Sequence, residues 1–299
     1  MTRLLDHIGV AFADLDHGQT VFKRLGFTLT PRSLHYGQFS PDEPVQLWGS
    51  GNHLAVFHEG FVEAIGITDP TGPSRVKHMV AKHAGAHIVA LGGEKAETQF
   101  ADIRTFGDFS TEVCSLQREA PFGPNNEEVR PVAFKNIYID EEVFPEAHFL
   151  LIEHVTPEVL WQPHHLIHAN GALSLQAVYF AAKDPSALAA KLKPLFYDKA
   201  VRSEDAVQLK LDRGSAWIFT PDAWNTKAPG SYVPPLPAPV GYQIGVKSLG
   251  ETRKYLESQG FVVHETSSAV SANDVPPGLW ISAEDAGGAA VHFVQEPKK

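Results

Sequence analysis

Four side chains in the first half of the sequence have the types and spacing to share a divalent cation: His7, Glu63, His87 and Glu153. Each sits in an apolar run. His7 lies in Leu4-Leu5-Asp6-His7-Ile8-Gly9-Val10, and His87 in Ala86-His87-Ile88-Val89-Ala90-Leu91. Glu63 lies in Phe61-Val62-Glu63-Ala64-Ile65, and Glu153 in Phe149-Leu150-Leu151-Ile152-Glu153-His154. Strand side chains alternate between faces, so one polar residue among Ile, Val and Leu neighbours is expected to point inward. Two buried carboxylates facing each other would push one of them toward protonation unless a cation stood between them. Two imidazole nitrogens with two carboxylate oxygens suit Zn, Ni, Fe, Mn or Co, and composition does not choose among them. Taken singly, each residue has an ordinary alternative role: a hydrogen-bonded core histidine, or a glutamate solvated at a strand end. His154 follows Glu153 directly, and either could face inward.

The elements that must hold these residues form a repeat. The His7 strand is followed by a helix opened by Asp14-Leu15-Asp16 and closed by Gly26, then by Phe27-Thr28-Leu29-Thr30, Asn52 to Phe57 and Gly60 to Ile67 as strands. The same order recurs from His87, from Leu175 and from Gly241. The second copy offers Phe109 to Val113, Val132 to Ile139 and Phe149 to His154 as its strands, with Pro121 to Arg130 as a long loop. Residues near Glu63 and Glu153 supply the expected pocket wall: His53 and Phe57 on one strand, Phe134, Asn136 and Tyr138 on another, and Trp161 just beyond. Such a wall suits an apolar or aromatic small molecule. In the second half the matching positions hold Gln176, Gln243 and His292, a poorer donor set.

Composition narrows the partners. Net charge is -10 with no basic block, which argues against nucleic acid. The single cysteine, Cys114, forbids an intramolecular disulfide and fits a reducing compartment. No apolar run reaches the length of a membrane span and no signal-like segment opens the chain, so a cytoplasmic protein is expected. The expected partner is a small-molecule substrate, with neither nucleic acid nor membrane, and with a monomer or homodimer as the assembly. There is no G-x-S-x-G elbow and no phosphate-cradling glycine loop.

The stretches Leu5-Asp6-His7-Ile8-Gly9-Val10, Asn52 to Phe57, Phe61 to Ile67 and Glu153-His154-Val155-Thr156-Pro157, with His168-Ala169-Asn170-Gly171, resemble the glyoxalase-like proteins of the vicinal oxygen chelate superfamily. The resemblance implies an α+β fold of four βαβββ modules paired into two open-barrel domains. It places a metal-site domain at residues 1–160, with modules 1–83 and 84–160, and a degenerate one at 171–299, with modules 171–239 and 240–299. It further implies a metal that grips vicinal oxygens of its substrate, held at the positions of His7, Glu63, His87 and Glu153. The activity that the resemblance implies is a glyoxalase-type lyase or isomerase in which the ligand carboxylates, Glu63 and Glu153, transfer the proton. The alternatives are an extradiol-like dioxygenase using non-haem iron, with His7, His87 and Glu153 as its triad, and a non-catalytic protein that sequesters a small molecule.

Overall fold

The computed structural model describes residues 1–38, 44–197, 200–202, 206–228, 231, 233–266 and 275–297. The first half runs β1 (Leu4–Phe12), α1 (Leu15–Arg24), β2 (Ser33–Gly37), β3 (Gln46–Val56) and β4 (Phe61–Ile67). A connecting helix, α2 (Val76–Lys82), leads to β5 (Gly85–Gly92), α3 (Ala96–Ile103), β6 (Cys114–Phe122), β7 (Glu128–Tyr138) and β8 (His148–His154). These strands form one sheet in the order β2-β3-β4-β1-β5-β8-β7-β6. After α4 (Pro157–Leu160) and a 3-10 turn (Pro163–Leu166) the pattern repeats. The repeat is β9 (Ala172–Ala181), α5 (Pro185–Phe196), β10 (Ala200–Arg202), β11 (Ala206–Lys210), β12 (Ser215–Phe219), α6 (Pro221–Lys227), β13 (Ala238–Val246), α7 (Leu249–Ser258), β14 (His264–Glu265), β15 (Gly278–Ile281) and β16 (Ala290–Gln295). Its sheet order, β10-β11-β12-β9-β13-β16-β15-β14, has the same connectivity as the first. The fold is thus α+β, with four βαβββ modules paired into two eight-stranded open barrels.

In each barrel the first strand of one module pairs antiparallel with that of the next, and each runs parallel to the last strand of its own module. Helices start where side chains satisfy the free amides of the first turn. Asp14, Asp184 and Ser248 accept from the backbone N–H of Asp16, Ala187 and Glu251. The outer faces carry the main core. Leu5, Ile8, Val10 and Phe12 pack on Val21 and Phe22, and the same cluster includes Phe180, Leu192, Ile244 and Phe293 of the second half. The rings of Phe149 and Phe180 stack 6.2 Å apart across the junction. Backbone touches backbone there as well: Gly85 (φ +119) lies so close to Gly288 that a Cβ would come within 2.2 Å of its carbonyl oxygen.

Three stretches differ from the sequence expectation. Phe27 to Thr30 is irregular rather than a strand. Its polar groups are used elsewhere: the Thr28 amide donates to His168 Nδ1, and Thr30 bonds Leu54 through both amide and hydroxyl. The short β2 takes the edge position instead. Phe109 to Val113 makes only an isolated bridge, Ser110 to Ile139, and β6 begins at Cys114. Pro121 to Arg130 is a hairpin, with Phe122 paired to Glu128 and Asn126 in the left-handed region at its tip. Pro121 is tolerated because β6 is an edge strand.

Aromatic side chains pack much of the inner face of the second barrel, and a cleft of about 350 Å³ remains there, lined by Gln176, Gln208, Gln243 and Glu296. Tyr179, Trp217, Phe219, Trp224 and Trp280 pack together, with Trp224 supplied by α6. Trp280 stacks on His292 at 4.0 Å and 3°. Tyr179 donates to Gln243 Oε1 at 2.6 Å and faces His292 Nδ1 at 2.7 Å. Gln243 donates to Gln176, which donates to Glu296. Gln243 thus bonds both Gln176 and Tyr179, and His292 meets Tyr179 through Nδ1. The Trp280→Ala variant is expected to lose about 3–5 kcal/mol of stability, because the other rings cannot collapse into an indole-sized void. Urea unfolding of the variant against the parent measures this.

Candidate functional site

The inner face of the first barrel is different in kind. Strand alternation assigns His7, Gly9 and Ala11 of β1, Phe61, Glu63 and Ile65 of β4, and Leu150, Ile152 and His154 of β8 to this face. Their neighbours alternate into the outer core: Ile8 and Val10, Val62 and Ala64, Phe149 and Leu151. The far end is closed by Ala11, Ile65, Ile88, Ala90, Leu150 and Ile152 packed on Val76, Met79 and Val80 of α2. The near end is aromatic, with Phe61 and Trp161 beside Leu54, Val56 and Leu160.

At that aromatic end a carboxylate meets two imidazoles. A bulge between Leu5 and His7 leaves Asp6 without a partner in the β1–β5 ladder. Its Oδ1 lies 2.7 Å from His7 Nδ1 and 3.1 Å from His154 Nε2. The His7 ring stacks on Phe61 at 4.2 Å, and the His154 ring meets Trp161 edge-on at 4.8 Å. Trp161 is anchored by its indole N–H to the Phe57 carbonyl at 3.0 Å. Burial alone would raise the pKa of Asp6. The charges and hydrogen bonds of His154 and His7 outweigh it and hold the carboxyl well below the usual carboxylate range.

Deeper in, Glu63 is 8% exposed, and its Oε1 accepts from Asn52 Nδ2 at 2.6 Å. His35 Nδ1 lies 3.1 Å from Ser50 Oγ, and Asn136 Nδ2 donates to the Tyr138 hydroxyl at 3.1 Å. Burial pushes the His35 pKa down, against the pull of Glu63, and Arg118 adds to the lowering. Burial pushes the Tyr138 hydroxyl up. The edges of the sheet therefore approach each other, since His35 belongs to β2 and Arg118 to β6. The Oδ1 atoms of Asn52 and Asn136 are both buried without a partner.

Of the expected residues, His7, Glu63, Phe134, Asn136, Tyr138 and Trp161 belong to this face or its rim. Four do not. Glu153 follows Phe149 and Leu151 to the outer side, where its Oε2 accepts from the Ala96 amide at 2.7 Å and caps α3. His154 is the inward residue of the pair. His87 is the unpaired residue of a second bulge, where Gly9 faces Ile88 and Val10 faces Ala86. Its Nε2 lies 2.9 Å from the His83 carbonyl, and its ring stacks on His83 at 4.0 Å. His53 is on the outer side, with Nδ1 2.8 Å from the Thr30 carbonyl and Nε2 3.1 Å from Gln19. It lines a cleft of about 360 Å³ with Lys23 and Arg32. Phe57 packs in the outer core against Phe27 and His168. Asp6, Arg118, His35 and Asn52 were not expected at the site, and His154 was expected there only as the alternative to Glu153. Asp6 beside His7, and the in-out alternation through Leu116, Arg118 and Ala120, are the signals that could have found two of them.

The expected ligands thus do not converge on one point. Among the described residues no group of three or more His, Cys, Asp or Glu side chains is arranged to hold a metal. Asp6, His7 and His154 have suitable donor types, but they are spaced as hydrogen-bond partners. The residues present do not fit a four-ligand divalent centre.

Three buried histidines give the protein a pH dependence of known sign. Burial holds His87 and His168 at about 4 and His292 at about 3, against an ordinary value near 6.5. Below that ordinary value the unfolded chain takes up protons that the folded one refuses, so stability falls as pH falls. The urea midpoint is expected to drop between pH 7.5 and pH 5, and His87→Asn is expected to flatten the slope.

A family model described as a glyoxalase-like domain matches residues 5–196. No curated protein matches the chain. A hypothetical protein from Staphylococcus aureus superposes with a TM-score of 0.55 at 14% identity, over 99% of this chain and 100% of that one. A mutant 4-hydroxymandelate synthase from Streptomyces coelicolor gives 0.55 at 12% identity, over 98% and 92%. A fusion protein of a xylose isomerase-like TIM barrel with a 4-hydroxyphenylpyruvate dioxygenase gives 0.57 at 11%, over 99% of this chain and 49% of that one. At these identities the structures show a shared fold and nothing finer. The family match runs through the whole first barrel and into α5, and the protein is a member of the glyoxalase-like domain family within the vicinal oxygen chelate superfamily.

Proposed function

We propose that the first barrel, residues 1–160, is an enzyme site for a small, partly aromatic, oxygen-bearing substrate, and that its chemistry is proton transfer of the lyase or isomerase kind. The observation that carries this reading is the buried Asp6 carboxylate bridging two imidazoles beside Phe61 and Trp161. Asp6 is ionised at neutral pH and orients both rings. With Nδ1–H of His7 donated to Asp6, the Nε2 lone pair is left to accept a substrate proton. His154 donates Nε2–H to the same carboxylate and keeps Nδ1 as an acceptor. Asp6 stabilises whichever ring becomes charged, so a proton can be held while the substrate rearranges. Glu63, kept in place by Asn52, is the second acid–base group, one inward position beyond Phe61 on β4. A positioned acid–base group of this sort contributes about 10²–10⁴-fold to rate. No step is assigned to a metal, because the donor set does not fit one.

The test is solvent exchange. The protein is incubated in D2O with a panel of small hydroxyketones and hydroxyacids, and loss of C–H signal is followed by proton NMR. His7→Asn and Asp6→Asn are expected to slow exchange by about 100-fold or more. Glu153→Gln and His87→Asn are expected to leave it within a factor of about three, since neither side chain reaches the inner face. Binding without exchange in the parent protein would instead favour a sequestering role. A stoichiometric metal that is lost in both Glu153→Gln and His87→Asn would restore the four-ligand centre and overturn the proposal.

A further inference from the structure

The proton relay makes no use of Arg118. This residue lies on β6 opposite Val132, on the inner side with Asn136 and Phe134 of the neighbouring strand. It is half-buried, and among the described residues it makes no ion pair or hydrogen bond. The opposite charge that it feels is Glu63, whose carboxylate is already held by Asn52. A guanidinium keeps its charge at any ordinary pH and carries five N–H donors in a planar fork. Desolvating it without a partner is costly. Natural proteins keep such a group where something else completes it.

We infer that the ligand of this barrel carries a single carboxylate that pairs with Arg118, next to a hydroxyl that donates to one of the amide oxygens of Asn52 and Asn136. The inference rests on the first barrel's inner face being the site. The fork matches two carboxylate oxygens side by side. One cation with Glu63 nearby suits one negative charge, not the two of a phosphate monoester. The buried Oδ1 atoms of Asn52 and Asn136 have no donors, and a hydroxyl on the neighbouring carbon would supply one. Phe134, Tyr138 and Phe61 line the same face and accept an aryl or branched side chain. The ligand class is therefore an aryl hydroxycarboxylate.

Mandelate, mandelamide and phenylacetate separate these features, and calorimetric titration reads them. The parent protein is expected to bind mandelate about tenfold or more tighter than mandelamide, which keeps the shape and loses the charge. Phenylacetate, which lacks the hydroxyl, is expected to fall between them. Arg118→Gln should bring mandelate down to the level of mandelamide and leave mandelamide unchanged, and Arg118→Lys should recover part of the difference. Equal binding of mandelate and mandelamide by the parent overturns the inference, as does failure to bind either. Equal loss of both probes in Arg118→Gln would mark a structural role and also overturns it. A Trp161→Ala control distinguishes the two readings. If the parent binds the probes equally and Trp161→Ala weakens both, the carboxylate is wrong and the site stands. If mandelate binding ignores both Arg118 and Trp161, the site is wrong as well.

Discussion

The pleat of a β-strand commits each side chain to one face, and a slip of one residue exchanges the two. In this protein the register cannot slip, because the outer faces of both sheets are joined in one apolar core. Leu5, Ile8 and Val10 of β1, Val89 and Leu91 of β5, and Phe149 and Leu151 of β8 are all engaged there with residues of the second half. Everything at the candidate site follows from which residues that core leaves facing inward. Glu153 shares the parity of Phe149 and Leu151, so it goes outward to the first turn of α3, where an acid is electrostatically welcome. His154 takes the inward place and finds Asp6.

Bulges are the one local escape from this rule, and β1 and β5 have one each. The extra residue in β1 is Asp6, and the extra residue in β5 is His87. The two cases end differently because their neighbourhoods differ. Asp6 lies between His7 and His154, so two potential cations offset the cost of burying its charge. His87 lies under His83 and meets a backbone carbonyl, so it stays neutral and structural.

This explains how much was legible in the sequence. The repeated strand–helix–strands order and the fold were legible, because apolar spacing and caps act locally. So was the placement of His7, Glu63, Phe134, Asn136, Tyr138 and Trp161 on the inner face or at its rim, where simple alternation or chain proximity holds. His87 was misplaced because nothing local announces a bulge. Glu153 is a polar residue at the end of an apolar run, and only its parity with Phe149 and Leu151 tells that it faces outward. His53 and Phe57 have the parity of Ala55, and that parity is outward. Arg118 escaped notice because the strand carrying it is an exposed edge, polar on both sides and interrupted by Pro121. Edge strands receive little of the burial that makes a central strand readable.

The two barrels share a topology and have diverged in what fills them. In the second, an aromatic cluster and the Tyr179–Gln243–Gln176–Glu296 chain occupy the inner face. In the first, the corresponding space has an apolar floor, a polar wall and an aromatic rim. Close packing of the second barrel's indoles leaves those rings little room to rearrange. That barrel's outer face is also half of the shared core, against which β1 and β5 pack, and β1 carries both Asp6 and His7. A hydrogen-bonded triad tolerates displacements of only a few tenths of an ångström before its geometry weakens. The second barrel therefore serves the first by completing the outer core that fixes its register, which is a physical reason for keeping a module whose own polar residues bond one another.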